Sequence, residues 1–111
     1  MYDAGLNQLE IDGMTENARK AACFLKAMSH EGRLLILCHL ATGEKSVTEL
    51  EELLSLRQAA VSQQLARLRL EGLVDFRREG KAIYYRIGDD RAWHMIETVH
   101  DMFCNQDKAA A

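Results

Sequence analysis

Three cysteines are the residues of this sequence best suited to covalent chemistry. Cys38 lies inside the apolar run LLILCHL at residues 34–40, Cys104 follows HDMF 66 residues later, and Cys23 lies in KAACFLK. A free cysteine in such a run commonly packs as a small hydrophobic residue. A partly exposed thiol of low pKa beside a second thiol is instead typical of a redox sensor. Both interpretations of Cys38 stay open at this point, and for Cys23 the apolar neighbours favour packing in a core or an interface.

A second candidate for chemistry is a series of acids and histidines near the end of the chain. Imidazole and carboxylate groups are common zinc ligands. Spacings of three residues, as in His94, Glu97 and His100, bring side chains toward one face of a helix. Helical surfaces carry such residues by default, so a metal site is an alternative rather than the main hypothesis. The alternative ligand set is Asp90, His94, Glu97 and His100, with Asp101 nearby.

Length and composition indicate one globular domain. The chain has 111 residues, 48% of them hydrophobic and 28% charged, and it contains no proline, which suits a helical protein with short connections. No apolar run reaches the length of a transmembrane helix, and the N-terminus lacks the pattern of a signal peptide. We therefore predict a cytoplasmic protein with no membrane partner, in which cysteines are more often reduced thiols than structural disulfides.

The charges are segregated along the chain. Residues 57–86 hold seven basic and three acidic side chains, a net charge of +4. The whole chain has a net charge of −3, so the remaining residues together carry −7. One cationic face on an acidic body is typical of proteins that bind nucleic acid, although a charged segment alone is often only a solvated surface.

Apolar spacing predicts two helices in the first 41 residues. We expect a mobile arm over residues 1–13, and then a helix with Thr15 as its N-cap and an alanine-rich apolar face. A second helix is predicted from Glu31 to Ala41, and its nearly continuous apolar residues predict burial between neighbouring elements. Gly43 ends that helix.

The next elements predict a helix-turn-helix followed by a hairpin. Ser46 and Glu49 form the S-x-x-E capping box of a short helix that extends to about Leu54. After the break SLRQ, a second helix has an apolar stripe at positions 61, 65 and 68 and ends near Gly72. Two β-rich runs, 73–78 and 82–87, flank a turn at Glu79-Gly80-Lys81.

A last helix is predicted from Asp89 or Asp90, with an apolar stripe that includes Trp93, Ile96 and Phe103. The resulting fold class is mainly α with a β-hairpin wing, that is, a winged helix-turn-helix over residues 14–105. The six residues 106–111 are predicted to be a frayed tail.

The second helix of such a unit enters the major groove of DNA, and its outward residues are candidates for base or phosphate contact. Glutamine and serine can bond base edges, alanine can pack against thymine, and arginine suits phosphate. Basic residues at the hairpin tip are placed to reach the backbone or the minor groove. The predicted contacts with double-stranded DNA are Arg57, Gln58, Ala59, Ser62, Gln63, Arg67, Arg69, Arg77, Arg78 and Lys81.

The segment SVTELEELLSLRQAAVSQQLARLRLEGLVDFRREGKAIYYRI, with LKAMSHEGRLLILCHL before it, resembles the ArsR/SmtB family of bacterial repressors. The resemblance covers about residues 18–104. It implies a homodimer held by the first and last helices that releases operator DNA when an inducer binds or reacts. Two positions depart from many relatives: Arg57 stands where they have serine at an N-cap, and Gln64, which borders the core, where they have histidine.

The positions of Cys38 and Cys104, in RLLILCHL and HDMFC, resemble those of the thiol-based BigR/SqrR/HlyU-like branch. That resemblance implies that persulfides or polysulfides join the pair, directly or through added sulfur atoms, and so derepress genes of sulfide metabolism. Peroxide or general thiol oxidation of the same pair is an alternative. The C-x-C pattern of the family's metal sites is incomplete here, because Leu37-Cys38-His39 contains one cysteine. The D-x-H spacing of the family's zinc site is missing from the last helix.

Other classes of function are less well supported. The sequence has no phosphate-binding glycine loop, metalloprotease helix or evident nucleophile and base, so we predict that it is not an enzyme and that it has no cofactor. A winged helix used only for protein contact is a further alternative, and it predicts no salt-dependent binding to duplex DNA.

Overall fold

The computed structural model describes residues 7–104 of the chain. Five helices and a small antiparallel sheet form a mainly helical, winged helix-turn-helix fold. The elements in chain order are α1 Gln8–Met28, α2 Glu31–Leu40, β1 Lys45–Ser46, α3 Val47–Leu54, α4 Gln58–Leu70, β2 Val74–Glu79, β3 Ala82–Ile87 and α5 Asp90–Phe103.

The first helix begins earlier than the sequence predicts. Asn7 caps α1 by accepting a hydrogen bond from the Glu10 amide, and the Glu10 carboxylate accepts one from the Asn7 amide. The N-cap prediction at Thr15 is therefore wrong, since the Thr15 hydroxyl donates to the carbonyl of Ile11 within the helix. Residues 8–13 of the expected mobile arm are helical, because this reciprocal cap satisfies the first free amides. Residues 1–6 and the expected tail at 106–111 lie outside the described residues.

The helix-turn-helix is formed by α3 and α4, as predicted. Ser46 and Glu49 make the expected capping box at the start of α3. The helix ends at Ser55, whose left-handed conformation (φ 54°) turns the chain toward α4. Arg57 is the N-cap of α4 and makes no side-chain capping bond. Gly72, with φ of 76°, follows the end of α4 and leads into the wing.

The wing contains one more strand than the sequence predicts. The hairpin of β2 and β3 is confirmed, with Phe76 opposite Tyr85, but β1 also pairs with β3, giving the order β1-β3-β2. The two-residue β1 is too short to leave a period in the sequence. A Cβ on Gly88, just after β3, would lie 2.8 Å from a carboxylate oxygen of Asp75, so glycine is needed for this close approach.

The core collects apolar side chains from every helix. The predicted stripe of Val61, Leu65 and Leu68 on α4 is fully buried, and it packs with residues of α2 and the wing. The prediction that α2 is buried all round is wrong for Leu35, which is 44% exposed. The fully or almost fully buried residues are Ala27, Met28, Ile36, Leu37, Leu40, Leu50, Val61, Leu65, Leu68, Leu73, Val74, Ala92 and Ile96.

Helices α1 and α5 expose several apolar side chains. Ala27 and Met28 are the buried residues of α1, whereas Leu9 is 82% exposed. On α5 the predicted apolar stripe is only partly buried: Ile96 is buried, but Phe103 is 72% exposed. The other buried residue of this helix is Ala92. Trp93, Met102, Ile11, Met14 and Leu25 are also exposed. In the described residues, no helix is both long enough and apolar enough to cross a bilayer.

Candidate functional site

One face of α4, together with its N-cap, is free of core contacts and carries half of the predicted DNA-binding residues. Arg57, Gln58, Ala59, Ser62 and Gln63 are all exposed. They alternate around the helix with the buried stripe, whose spacing of three and four residues points the intervening side chains outward. The first turns of α4 therefore expose small and amide-bearing side chains.

The arginines near the end of α4 are held against the protein. Arg67 is half-buried, lies 4.0 Å from the Glu71 carboxylate, and has a buried Nε without a hydrogen-bond partner. Arg69 is exposed, but its guanidinium lies 4.2 Å from the centre of the Phe76 ring in the wing. Both cations are thus positioned by neighbouring groups and lie at the junction of α4 and β2.

The wing carries one tethered arginine and two exposed basic residues. Arg77 binds Glu44 in a bidentate pair, with Nη2 to Oε1 at 2.8 Å, and Glu79 with Nη1 to Oε2 at 2.7 Å. Its hydrogen bonds lower the pKa of Glu44 and raise that of Arg77. Arg78 and Lys81 are exposed at the tip, and no ion pair involves either one within residues 7–104.

A cavity of about 270 Å³ joins the wing to the helix-turn-helix. It is lined by Thr48 of α3, Gln58 of α4 and Lys81 of the wing, among others. These three elements therefore enclose a polar cleft on the same side of the molecule as the exposed face of α4. Glu51 also lines this cleft, so its polar groups include a carboxylate as well as a hydroxyl, an amide and an ammonium group.

The thiols of Cys38 and Cys104 come from different helices. Cys38 lies in the second half of α2 and is partly buried, whereas Cys104 caps the end of α5 and is exposed, with its amide donating to the carbonyl of His100 at 2.8 Å. Burial, and then the charge on Cys104, raise the pKa of Cys38. A sensor thiol is typically low in pKa, and Cys38 departs from that pattern. The second cause indicates that the charge of Cys104 acts on Cys38.

Cys38 borders a cavity of about 330 Å³ between α2 and α5. Ala41 and Thr42 line it from the α2 side, and Trp93 and His100 are among the lining residues of α5. The sequence placed Trp93 in the apolar stripe but gave no sign that it would neighbour a thiol.

The alternative metal ligands do not come together in the part of the chain that the structure describes. No group of three or more His, Cys, Asp and Glu side chains in residues 7–104 could hold a metal ion. His94 and Glu97 approach each other to 3.9 Å on the exposed side of α5, while His100 lines the cavity beside Cys38. The i, i+3 spacing brings the first pair together, but Asp90 does not complete a set.

Cys23 is exposed on α1, so the prediction that it packs in the core of one chain is wrong. It lines a shallow cavity together with Arg19, Lys20 and Arg91. Its alternative placement in an interface stays a prediction.

The sequence also did not predict which partners would hold Arg33 and Arg77. Gln64, recognised as a residue at the border of the core, accepts a hydrogen bond from Arg33 of α2 at 3.1 Å. Glu44, in the loop before β1, holds the wing arginine as described above. Both links join residues more than 30 positions apart, and neither follows from a local pattern.

Comparison with known proteins gives one consistent family. Residues 30–75 match the family described as bacterial regulatory protein, arsR family. The chain is 43% identical over 99 residues, 89% of its length and 85% of the relative, to a biofilm growth-associated repressor of Agrobacterium fabrum. It is 44% identical to the solved structure of reduced HlyU from Vibrio cholerae, with a TM-score of 0.79 over 83% of this chain and 97% of that one. The BigR repressor of Xylella fastidiosa aligns with a TM-score of 0.80 at 39% identity, covering 84% and 95%.

These relatives are named as transcriptional regulators, not enzymes. Both the sequence matches and the winged helix-turn-helix extend over most of the chain. The protein therefore belongs to the ArsR family of DNA-binding transcriptional regulators, in its BigR/HlyU-like branch.

Proposed function

We propose that the protein is a homodimeric repressor that releases operator DNA when reactive sulfur species link Cys38 to Cys104. The observation that carries the proposal is the relation between these thiols: they come from α2 and the end of α5, and Cys38 opens onto a cavity between the same helices. The charge of Cys104 also contributes to the raised pKa of Cys38. The names of the BigR and biofilm growth-associated relatives as repressors support the direction of regulation.

The exposed face of α4 and the wing are proposed to bind double-stranded DNA. Gln58, Ser62 and Gln63 face outward, where amide and hydroxyl groups reach base edges or phosphates, and Ala59 leaves room for close approach. Arg57, Arg78 and Lys81 supply cations for the backbone, and Arg67, Arg69 and Arg77 add charge at the border of this surface. A repressor acting on chromosomal operators would work in the cytoplasm.

The exposed apolar residues of α1 and α5 are proposed to form the dimer interface. Leu9 and Phe103 are largely exposed, and Leu25 and Trp93 are nearly half exposed. Covering such side chains contributes about 25 cal/mol for each Å² removed from water. A second copy would bury them and would place two α4 helices on one duplex, as a symmetric operator requires.

The exposed thiol is proposed to react first. The Cys104 thiolate attacks the outer sulfur of a persulfide RSSH, whose S–S bond breaks and releases RS⁻, leaving Cys104 as a persulfide. The Cys38 thiolate then attacks the Cys104 sulfur and expels HS⁻, which forms the Cys38–Cys104 disulfide. In total two thiols are oxidised, and the persulfide is reduced to RSH and H₂S. A longer bridge needs a further polysulfide as oxidant: the Cys104 persulfide first attacks a polysulfide sulfur, breaks its S–S bond and becomes Cys104-S-S-SH. The Cys38 thiolate then attacks the middle sulfur and expels HS⁻, which gives a trisulfide.

The test combines intact mass, peptide mapping and operator binding. Reduced protein is treated with inorganic polysulfide, and a species joining the Cys38 and Cys104 peptides is expected together with weaker operator binding. A coupling of 1–3 kcal/mol corresponds to a loss of about 5- to 150-fold in affinity. The variants Cys38→Ser and Cys104→Ser should bind the operator when reduced but should not respond, whereas Cys23→Ser is the matched control and should respond normally.

Two further arms separate the alternative inducers. Hydrogen peroxide tests general oxidation of the same pair, and zinc titration of reduced protein tests the metal alternative, with His94 and His100 variants. Induction retained by either Cys38→Ser or Cys104→Ser would overturn the proposed pair. Binding to duplex DNA that does not weaken as salt rises would argue against the DNA interface.

A further inference from the structure

Arg33 joins three helices through one side chain. It belongs to α2, and its Nε donates to the carbonyl of Ala27 at 2.6 Å, while its Nη2 donates to the carbonyl of Lys26 at 3.4 Å. Its Nη1 donates to the side-chain oxygen of Gln64, on α4, at 3.1 Å. Residues 26 and 27 form the last turn of α1, so the guanidinium spans the end of one helix and the middle of another.

The geometry of this contact is well suited to fix an orientation. The last carbonyls of a helix lack partners within the helix and carry partial negative charge, so a guanidinium is a favourable donor to them. Its planar fork has fixed directions, which a lysine ammonium lacks. Once two nitrogens are held by α1, the direction of Nη1 toward Gln64 is set as well.

Gln64 is a sensitive place for such a contact. It lies between Gln63, which is exposed on the DNA-facing side, and Leu65, which is fully buried. A displacement of Gln64 relative to α2 would therefore rotate or translate the residues proposed to meet the bases. Apolar packing between α2 and α4 is less directional and constrains this motion less.

Arg33 and Cys38 are on the same helix. Five residues separate them, about 7.5 Å along the helix axis at 1.5 Å per residue. Any shift of α2 that brings Cys38 into a bond with Cys104 therefore also shifts Arg33. The hydrogen bond to Gln64 passes such a shift to α4 more directly than the surrounding apolar contacts do.

We propose that the Arg33–Gln64 hydrogen bond is the positioning link through which linkage of the thiols is transmitted to the recognition helix. This inference rests on the proposed thiol function for its regulatory part. Its positioning part concerns the reduced protein alone and can be measured separately. In the reduced state the link holds α4 in its DNA-binding orientation, and in the linked state it carries the displacement of α2 to α4.

The first experiment is a double-mutant cycle in reduced, full-length protein with Arg33→Met and Gln64→Met, measuring operator affinity and urea unfolding. Methionine has nearly the shape and helix propensity of glutamine but accepts no strong hydrogen bond. Positioning predicts an interaction between the two substitutions in operator affinity for folded protein. The positioning role would be overturned if the two substitutions interact only in the free energy of unfolding, while their effects on operator affinity are additive.

The second experiment measures the ratio of operator affinity before and after polysulfide treatment. Gln64→Met should form the Cys38–Cys104 linkage to the wild-type extent by mass, yet its affinity ratio should fall toward one. Gln64→Glu, which keeps the acceptor, should restore the ratio. An unchanged ratio in fully linked Gln64→Met would overturn the regulatory role. Absence of linkage in the wild-type protein would instead overturn the proposed function, and the reduced-state cycle would still decide the positioning role.

Discussion

Glu44 and Arg77 form a bidentate ion pair between the loop that follows α2 and strand β2 of the wing, with Arg77 Nε 2.9 and 3.1 Å from the two carboxylate oxygens. Arg77 also lies 4.6 Å from the centre of the Tyr84 ring on the neighbouring strand. The pair fixes the arginine against the wing and offsets its charge. Glu44 lies two residues after Thr42, which lines the cavity beside Cys38. The ion pair therefore connects the wing to the loop at the end of α2.

Removing the charge of Glu44 should strengthen DNA binding. In Glu44→Gln, Arg77 keeps Glu79 but loses its bidentate anionic partner, so it is available to a phosphate. The slope of log K against log salt is expected to steepen by up to about 0.9, the value of one added phosphate contact. Fluorescence anisotropy with duplex DNA over a salt series measures it. Glu16→Gln, an exposed acid of α1, is the control for net charge, and an equal effect in that variant would contradict a local role for Glu44.

Alkylation of Cys38 should require higher pH than alkylation of a free thiol. Burial, and secondarily the charge of Cys104, raise the pKa of Cys38, so its thiolate fraction at neutral pH is below that of an unperturbed thiol and increases as pH rises through the higher value. Iodoacetamide rates against pH, followed by peptide mass, measure the midpoint. In Cys104→Ser the midpoint should move down but not reach the free-thiol value, since burial is the larger cause. A midpoint at or below that of a free thiol would contradict this environment.

Asp89 should stabilise the fold as the N-cap of α5. Its carboxylate accepts from the Arg91 amide at 2.8 Å and from the Arg91 guanidinium at 2.6 Å. Asp89→Ala should lower the free energy of unfolding by about 1 kcal/mol, the usual value of a lost cap. Asp89→Asn keeps a capping acceptor and should lose less, as urea unfolding at neutral pH would show.

The same residue gives a pH dependence of defined sign. Hydrogen bonding from Arg91 is the main reason that the pKa of Asp89 is lowered. A lowered folded-state pKa contributes stability that is present above the unfolded-state pKa and is lost as pH falls through the folded-state value. The free energies of unfolding of the wild-type protein and of Asp89→Asn should therefore become more alike as pH falls. A gap between them that widens toward low pH would contradict the assignment.

Trp93 should report the state of the thiols. It is the single tryptophan of the chain, and it lines the cavity that contains Cys38. Linkage of Cys38 to Cys104 changes the packing around its ring, so emission is expected to change in step with the linked species seen by mass. Cys38→Ser should abolish the change, and Cys23→Ser should leave it intact. An emission change that persists in Cys38→Ser would assign it to another modification.

Elements with local signals could be predicted before the structure was known. The capping box at Ser46 and Glu49, the stripe of Val61, Leu65 and Leu68, and the hairpin around Gly80 were all predicted, because hydrogen bonds within one turn and apolar periodicity act over a few residues. The cap at Asn7 was missed, although its N-x-x-E pattern is also local, and so was β1, which is too short to show a period.

Which side chains share an environment depends on how whole helices pack. The sequence could not show that Glu44 holds Arg77, that Arg33 reaches Gln64, or that Trp93 lines the same cavity as Cys38, since each pair belongs to distant segments of the chain. The direction of the pKa shift of Cys38 was open for the same reason. Burial and the nearby charge of Cys104, which raise it, come from the packing of α2 and α5.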